Sequence, residues 1–126
     1  MITATFRSLL ISDSDLAELV GTRIYPMSAP DTTQTPLIIY QRITETHDAD
    51  TGLTQTRIQT DCYADTYDDV SELAQTVKTA AMHRTFIGSR ETIVNITFVN
   101  AVDFRDPEAR LYRQALDFLV SWKDNN

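Results

Sequence analysis

Cysteine is almost missing from this chain: Cys62 is the single one in 126 residues. A lone thiol makes no internal disulfide, so the chain reads as built for a reducing compartment. Glycine is nearly as scarce, with three residues, and none belongs to a phosphate-cradling loop; a serine elbow and a cysteine-pair motif are absent as well. No apolar run approaches the length that spans a bilayer, which excludes a membrane partner of that kind. The opening Met1-Ile2-Thr3-Ala4-Thr5-Phe6-Arg7 lacks the basic-then-apolar layout of a signal peptide, so secretion by that route is not expected. Basic charge is short too. Eleven Lys and Arg against eighteen Asp and Glu leave a net charge of −7, which removes the electrostatic term on which most nucleic-acid binding rests. The acidity either serves solubility alone or supplies a surface past which DNA slides without sticking.

What is present is an ordinary apolar share, 42%, in a length that suits one domain over residues 1–126. The clearest pattern is Arg57-Ile58-Gln59-Thr60-Asp61-Cys62-Tyr63-Ala64. Thr56, Ile58, Thr60, Cys62 and Ala64 alternate with Arg57, Gln59, Asp61 and Tyr63, as a half-buried strand requires. After Thr66 the period becomes helical, with Val70, Leu73, Ala74, Val77 and Ala81 on one side. A strand, a tight corner and one amphipathic helix are the skeleton of an α+β domain.

Upstream, Ile2, Phe6, Leu9 and Leu10 predict a short first helix. Ser12 to Asp15 carries capping chemistry for a second, which Gly21 ends. Arg23-Ile24-Tyr25-Pro26 predicts a short edge strand, and Ser28 to Gln34 a loop. Leu37 to Thr46 and Leu53 to Ala64 predict antiparallel strands joined by the polar tip His47 to Gly52. Downstream, two long strands are expected. Thr92 to Phe104 would direct Val94, Ile96, Phe98, Val102 and Phe104 to one side, and Leu111 to Trp122 would direct Tyr112, Leu116, Phe118, Val120 and Trp122 to one side; a turn over Arg105 to Ala109 joins them. The expected fold is α+β: a mostly antiparallel sheet of about four strands, one main amphipathic helix packed on it, and one or two short N-terminal helices.

Catalytic equipment is sparse. His47 and His83 stand far apart without a second ligand at metal spacing. Cys62 falls mid-strand on the side of Ile58, where a small hydrophobe suits better than a thiolate. Asp48, Asp50 and Gly52 imitate a calcium loop, but the glycine comes one place early and Gln59 occupies the position of the bidentate carboxylate. Asp65, Asp68 and Asp69 open a helix, where carboxylates satisfy free amides and the macrodipole. No catalytic, cofactor or metal residues are expected.

Several pieces in order carry a resemblance. They are Leu16-Ala17-Glu18-Leu19-Val20-Gly21, Arg23-Ile24-Tyr25-Pro26, Pro30, and Pro36-Leu37-Ile38-Ile39-Tyr40-Gln41-Arg42-Ile43. The strand from Arg57 to Ala64, the helix with Leu73-Ala74 and Val77, and the closing Leu111-Tyr112-Arg113-Gln114-Ala115-Leu116-Asp117-Phe118-Leu119-Val120 complete them. Spread over nearly the whole chain, they resemble the tail-completion proteins of long-tailed bacteriophages, which are similar in fold to phage tail terminators. Arg84 to Glu91 contributes no piece to the pattern.

The resemblance implies a structural virion protein of the tail-neck region, assembled in the host cytoplasm. It implies a ring of copies of itself, expected to be a homohexamer, on the head-proximal end of the tail tube. There it would end tail growth, meet the tail tube protein on one side and a head-neck connector protein on the other, and let DNA through its lumen without specific binding. The size permits this: a chain of this length approximates a sphere roughly 36 Å across, and six such spheres in contact leave a central opening of about the same width. Candidate interface residues are Arg23, Arg42 and Arg57, which could pair with acidic groups of a neighbour, and His47, Asp48 and Asp50 at the hairpin tip. The tip is otherwise only a solvated turn, isolated surface arginines often contribute nothing measurable, and exposed sheet edges are a further route. Two alternatives remain: a connector or neck adaptor on the portal side, and a small ligand-binding α+β module.

Overall fold

Side-chain caps open the second and third helices, whereas the first has none. In the computed structural model, which describes residues 1–31 and 33–126, α1 spans Ile2–Ile11 and buries Ile2, Phe6, Leu9 and Leu10 along one stripe. Helix α2, Ser14–Val20, starts where the Asp13 carboxylate accepts the Leu16 N–H at 2.9 Å. It stops at Gly21, whose φ of 57° suits a residue without a Cβ. The main helix α3, Tyr67–Ala81, is opened by the Thr66 hydroxyl, which accepts the Asp69 N–H at 3.1 Å. Asp68 and Asp69 lie in its first turn and Lys78 in its last, matching the macrodipole at both ends. Val70, Leu73, Ala74, Val77, Ala80 and Ala81 are buried.

The strands are β1 (Ile24–Pro26), β2 (Leu37–His47), β3 (Thr54–Ala64), β4 (Phe86–Ile87), β5 (Glu91–Asp106) and β6 (Leu111–Asp124). They form one curled sheet in the order β1-β2-β3-β6-β5-β4. This corrects the expected sheet of about four antiparallel strands: the described residues form six, and β1 runs parallel to β2. The physical reason is that β4 is too short to show an alternation, β1 is recognisable only as a short edge strand, and alternation carries no information about direction. The 84–91 stretch, which fitted no pattern, supplies β4 and the turn into β5. Thr32, inside the predicted 28–34 loop, lies outside the described residues.

One face of the sheet carries the helices. Ile38, Tyr40, Ile58, Thr60, Cys62, Leu116, Phe118 and Val120 point into that layer and are buried. Phe118 sits between Phe6 and Phe98, with ring centroids 6.1 and 5.9 Å away. Burial pushes the Cys62 thiol far up, so it is an inert core residue as its position in the alternation suggests. The face expected for β5 is corrected. Register shifts between Ile93 and Asn95 and between Phe98 and Asn100 insert one residue each, and each insertion reverses which side the following residues face. Ile93 and Ile96 are buried, whereas Val94, Val102 and Phe104 are 37%, 45% and 45% exposed.

Candidate assembly surfaces

The sheet face opposite the helices is built by the odd-numbered half of β3. Cross-strand register sets Arg57 beside Leu119, Gln59 beside Asp117, Asp61 beside Ala115 and Tyr63 beside Arg113. Two ion pairs result: Arg57 Nη2 meets Asp117 Oδ2 at 2.6 Å, and Arg113 Nη1 approaches Asp61 Oδ2 at 3.8 Å. Gln59 donates from Nε2 to Asp61 Oδ1 at 2.9 Å, and the Arg113 guanidinium lies 4.0 Å from the centre of the Phe104 ring. Asp61 is only 6% exposed although no helix covers it. That burial pushes its carboxyl above the ordinary value of 3.8, opposed by the Gln59 hydrogen bond and the Arg113 charge and aided by the Asp117 charge. Beside it Gln59, Asn100, Phe104, Arg113 and Asp117 line a shallow cavity of about 210 Å³. The cluster is charge-balanced, so its chemistry is that of a rigid, polar contact surface.

The two borders of the sheet differ. On one, β5 pairs with β4 only through Ile93 and Thr92. Beyond that point the His83 N–H bonds the Ile96 carbonyl at 2.8 Å, and from Phe98 to Asp106 the outer side of β5 has no partner strand among the described residues. Val99, Val102 and Phe104 are exposed along this border. Its far end is stiffened rather than frayed: the Tyr67 hydroxyl donates to Asp103 Oδ2 at 3.0 Å, Gln114 donates to Asp103 Oδ1 at 2.7 Å, and Arg105 stacks 4.8 Å from the Tyr112 ring. On the other border, β1 is three residues long and ends in Pro26, which has no N–H to offer. There Pro26, Met27, Tyr40, Arg42 and Thr3 line a largely apolar groove of about 330 Å³.

These surfaces belong to a fold with known relatives. The family described as tail completion protein gp17 matches residues 5–121. The chain belongs to this family. Its members' name identifies it as a structural protein of the virion tail region. Among solved structures, a chain of the "Virion of native gene transfer agent (GTA) particle" superposes with a TM-score of 0.76 at 21% identity, covering 98% of this chain and 95% of that one. At that identity the likeness concerns the fold. No curated protein sequence matches the chain.

In this tail completion protein the candidate residues chosen from sequence fall into three places. Arg23 is turned inward: it donates from Nε to the Pro36 carbonyl at 2.9 Å and from Nη2 to the Leu19 carbonyl at 3.2 Å, tying α2 to the start of β2. Arg42 is exposed on the groove's rim, 3.6 Å from Glu45. Arg57 stands in the ion-pair cluster. His47, Asp48 and Asp50 cap the β2–β3 tip, which is closed by its own bonds: His47 Nδ1 lies 3.0 Å from the Thr54 hydroxyl, and Asp48 accepts the Asp50 N–H at 2.9 Å. That amide and the Thr51 hydroxyl hold the Asp48 carboxyl below its ordinary range. The structure therefore gathers Arg57 with Asp61, Arg113 and Asp117, and leaves the other candidates apart. Sequence reasoning missed the open-face cluster and the β5 border. Only the alternation of Arg57, Gln59, Asp61 and Tyr63 hinted at the first, and nothing marked the bulges that produce the second.

Among the described residues no cluster suited to a metal ion occurs, and no helix is long and apolar enough to cross a membrane.

Proposed function

We propose that this tail completion protein acts without catalysis, as a homomeric ring of six subunits on the head-proximal end of the tail tube. It ends tube growth, offers the opposite surface to the neck, and passes DNA through its lumen without holding it. The observation that carries this reading is the sheet's asymmetry within a member of this family: a long β5 whose outer side is open from Phe98 onward among the described residues on one border, and a short, proline-ended β1 with a groove on the other. Two unlike borders suit head-to-tail contacts, the kind that close a ring rather than stop at a dimer. Membership in the tail completion family and the fold shared with a virion chain support the location. A net charge of −7 is consistent with a lumen that repels phosphate. The charge-balanced cluster of Arg57, Asp61, Arg113 and Asp117 offers a stiff platform for the tube or the neck.

Native mass measurement on the chain alone and on isolated tail tubes tests this. Rings of six, in solution or on tubes, are expected, and lysates lacking the protein should hold overlong, headless tails. Monomers or dimers under every condition, with tails of normal length, would overturn the reading. Binding to the portal-side connector with no affinity for tubes would instead favour an adaptor in the neck.

A further inference from the structure

We infer that the exposed β5 border of one copy seats in the β1-side groove of the next, which makes Val102 and Met27 partners across the subunit boundary. The inference rests on the ring reading above and adds the surfaces that close it. Its first support is register. Pro26 pairs with Tyr40, Tyr40 with Thr60, Thr60 with Leu116, and Leu116 with Ala101. One row of residues thus crosses the sheet from the groove to the middle of the free part of β5. The groove and the apolar border stand at the same height on opposite edges, as a contact repeated around a ring needs.

The second support is facing. Val102 pairs with Ala115 and Phe104 with Arg113, so both lie on the open face of the sheet. The groove lies on the helix side, where Thr3 of α1 meets Tyr40, Pro26 and Met27. Copies can therefore overlap like roof shingles, the open face of one border lying on the helix face of the next, with no need to turn a subunit over. A twofold arrangement would bring like to like and leave the groove empty of β5.

The third is chemistry. Val99, Val102 and Phe104 are each close to half exposed, Met27 is 71% exposed, and the groove walls are largely apolar, so contact removes hydrocarbon from water on both sides. Arg42 on the groove's rim is held only at 3.6 Å by Glu45, and the free end of β5 carries Asp106 on the same open face as Val102 and Phe104. Opposite charges at the periphery fix orientation more than they add affinity.

Disulfide trapping tests the pairing. Cys62 is fully buried and does not interfere. Within one copy Val102 and Met27 are separated by about four strand spacings, on the order of 19 Å, far beyond disulfide reach. Mild oxidation of assembled rings of a V102C/M27C double variant should give a ladder in denaturing gels, beginning at twice the subunit mass of 14.3 kDa. V102C alone and M27C alone should run as single subunits. Independently, V102D should cut the ring fraction at least about tenfold, as expected for a charge placed in a desolvated contact, and adding M27K should restore it. Intact rings that yield no ladder and withstand V102D overturn the inference while leaving the ring itself standing. A dimer band from V102C alone overturns it in favour of twofold pairing. Absence of rings under every condition, tubes included, removes both readings.

Discussion

The two borders of this sheet were made by opposite means. At β1 the chain gives only three residues, the last of them Pro26, so few free amides face outward and pairing is discouraged. At β5 it gives sixteen residues, of which β4 covers only the beginning, and nothing along Phe98 to Asp106 blunts the rest. Soluble proteins usually protect such a border with proline, lysine or a short strand. Here the border carries valines and a phenylalanine, and its tip is held firm by Tyr67, Gln114 and Arg113. A long, stiff strand with one open side fits the contact between copies proposed above, and the two borders give the chain two distinct ends.

The largest expected effect separates the shared interior from both borders. Phe118 sits in the middle of the sheet against Phe6 and Phe98, fully buried. Phe118→Ala should cost about 3–5 kcal/mol in denaturant unfolding; a loss below 1 kcal/mol would mean that the interior does not unify the two borders. Next comes the protected start of β5. A Cβ at Gly88 would stand 2.7 Å from Thr5 Cγ2 and 2.9 Å from the Glu91 carbonyl oxygen, so Gly88→Ala should destabilise by about 1–3 kcal/mol by overpacking. An unchanged unfolding midpoint would show that the β4 turn is not tied to α1.

A subtler effect concerns the open face. Because burial raises the folded-state value for Asp61, the folded chain holds its proton more tightly than the unfolded chain does. The stability from this group is complete below the ordinary value of 3.8 and is lost as pH rises through the raised folded value. Asp61→Asn should therefore flatten the pH dependence of unfolding in that window, read from denaturant midpoints at several pH values. A slope identical to the parent would show that the carboxyl does not titrate in the ion-pair cluster. Glu91 works in the opposite direction. Its own burial would raise it, but hydrogen bonds from the Met1 ammonium and the Thr5 hydroxyl outweigh that and hold it low. Its stabilisation is present above 4.5 and fades as pH falls through the depressed value, so the parent slope should be compared with Glu91→Gln as well.

The smallest effect is the most telling for the border comparison. Val102→Asp should change the unfolding free energy of the single subunit by no more than about 0.5 kcal/mol, since the side chain is close to half exposed and no strand of its own chain lies beyond it among the described residues. A loss above 2 kcal/mol would mean that Val102 serves the fold of its own chain rather than contact with another.

Much of the architecture was legible because some segments keep one period without interruption. β3 alternates from Thr56 to Ala64, and α3 holds its stripe from Val70 to Ala81; both formed where expected. Asp13, within the expected Ser12 to Asp15 cap, and Gly21 act at helix ends through atoms of their own neighbourhood, which is why their roles could be read locally, whereas the cap of α3 is Thr66 rather than the aspartates beside it. β5 was misread because a single added residue at Val94, and another at Val99, turns a correct strand inside out. The candidate surface was legible only in part. Arg57 was noticed, but its partner Asp117 lies sixty positions away, and only strand register brings the two together.

By itself the amino-acid order determined the helix limits, the alternating core of the central strands and the acidic, cysteine-poor character of the chain, because these depend on side chains within a few positions of one another. Only the tertiary structure decided the parallel seat of β1, the faces of Val102 and Phe104, and the joining of Arg57, Asp61, Arg113 and Asp117. Those outcomes depend on which strands become neighbours and at what offset. Backbone pairing sets that offset across the whole sheet, and no local period encodes it.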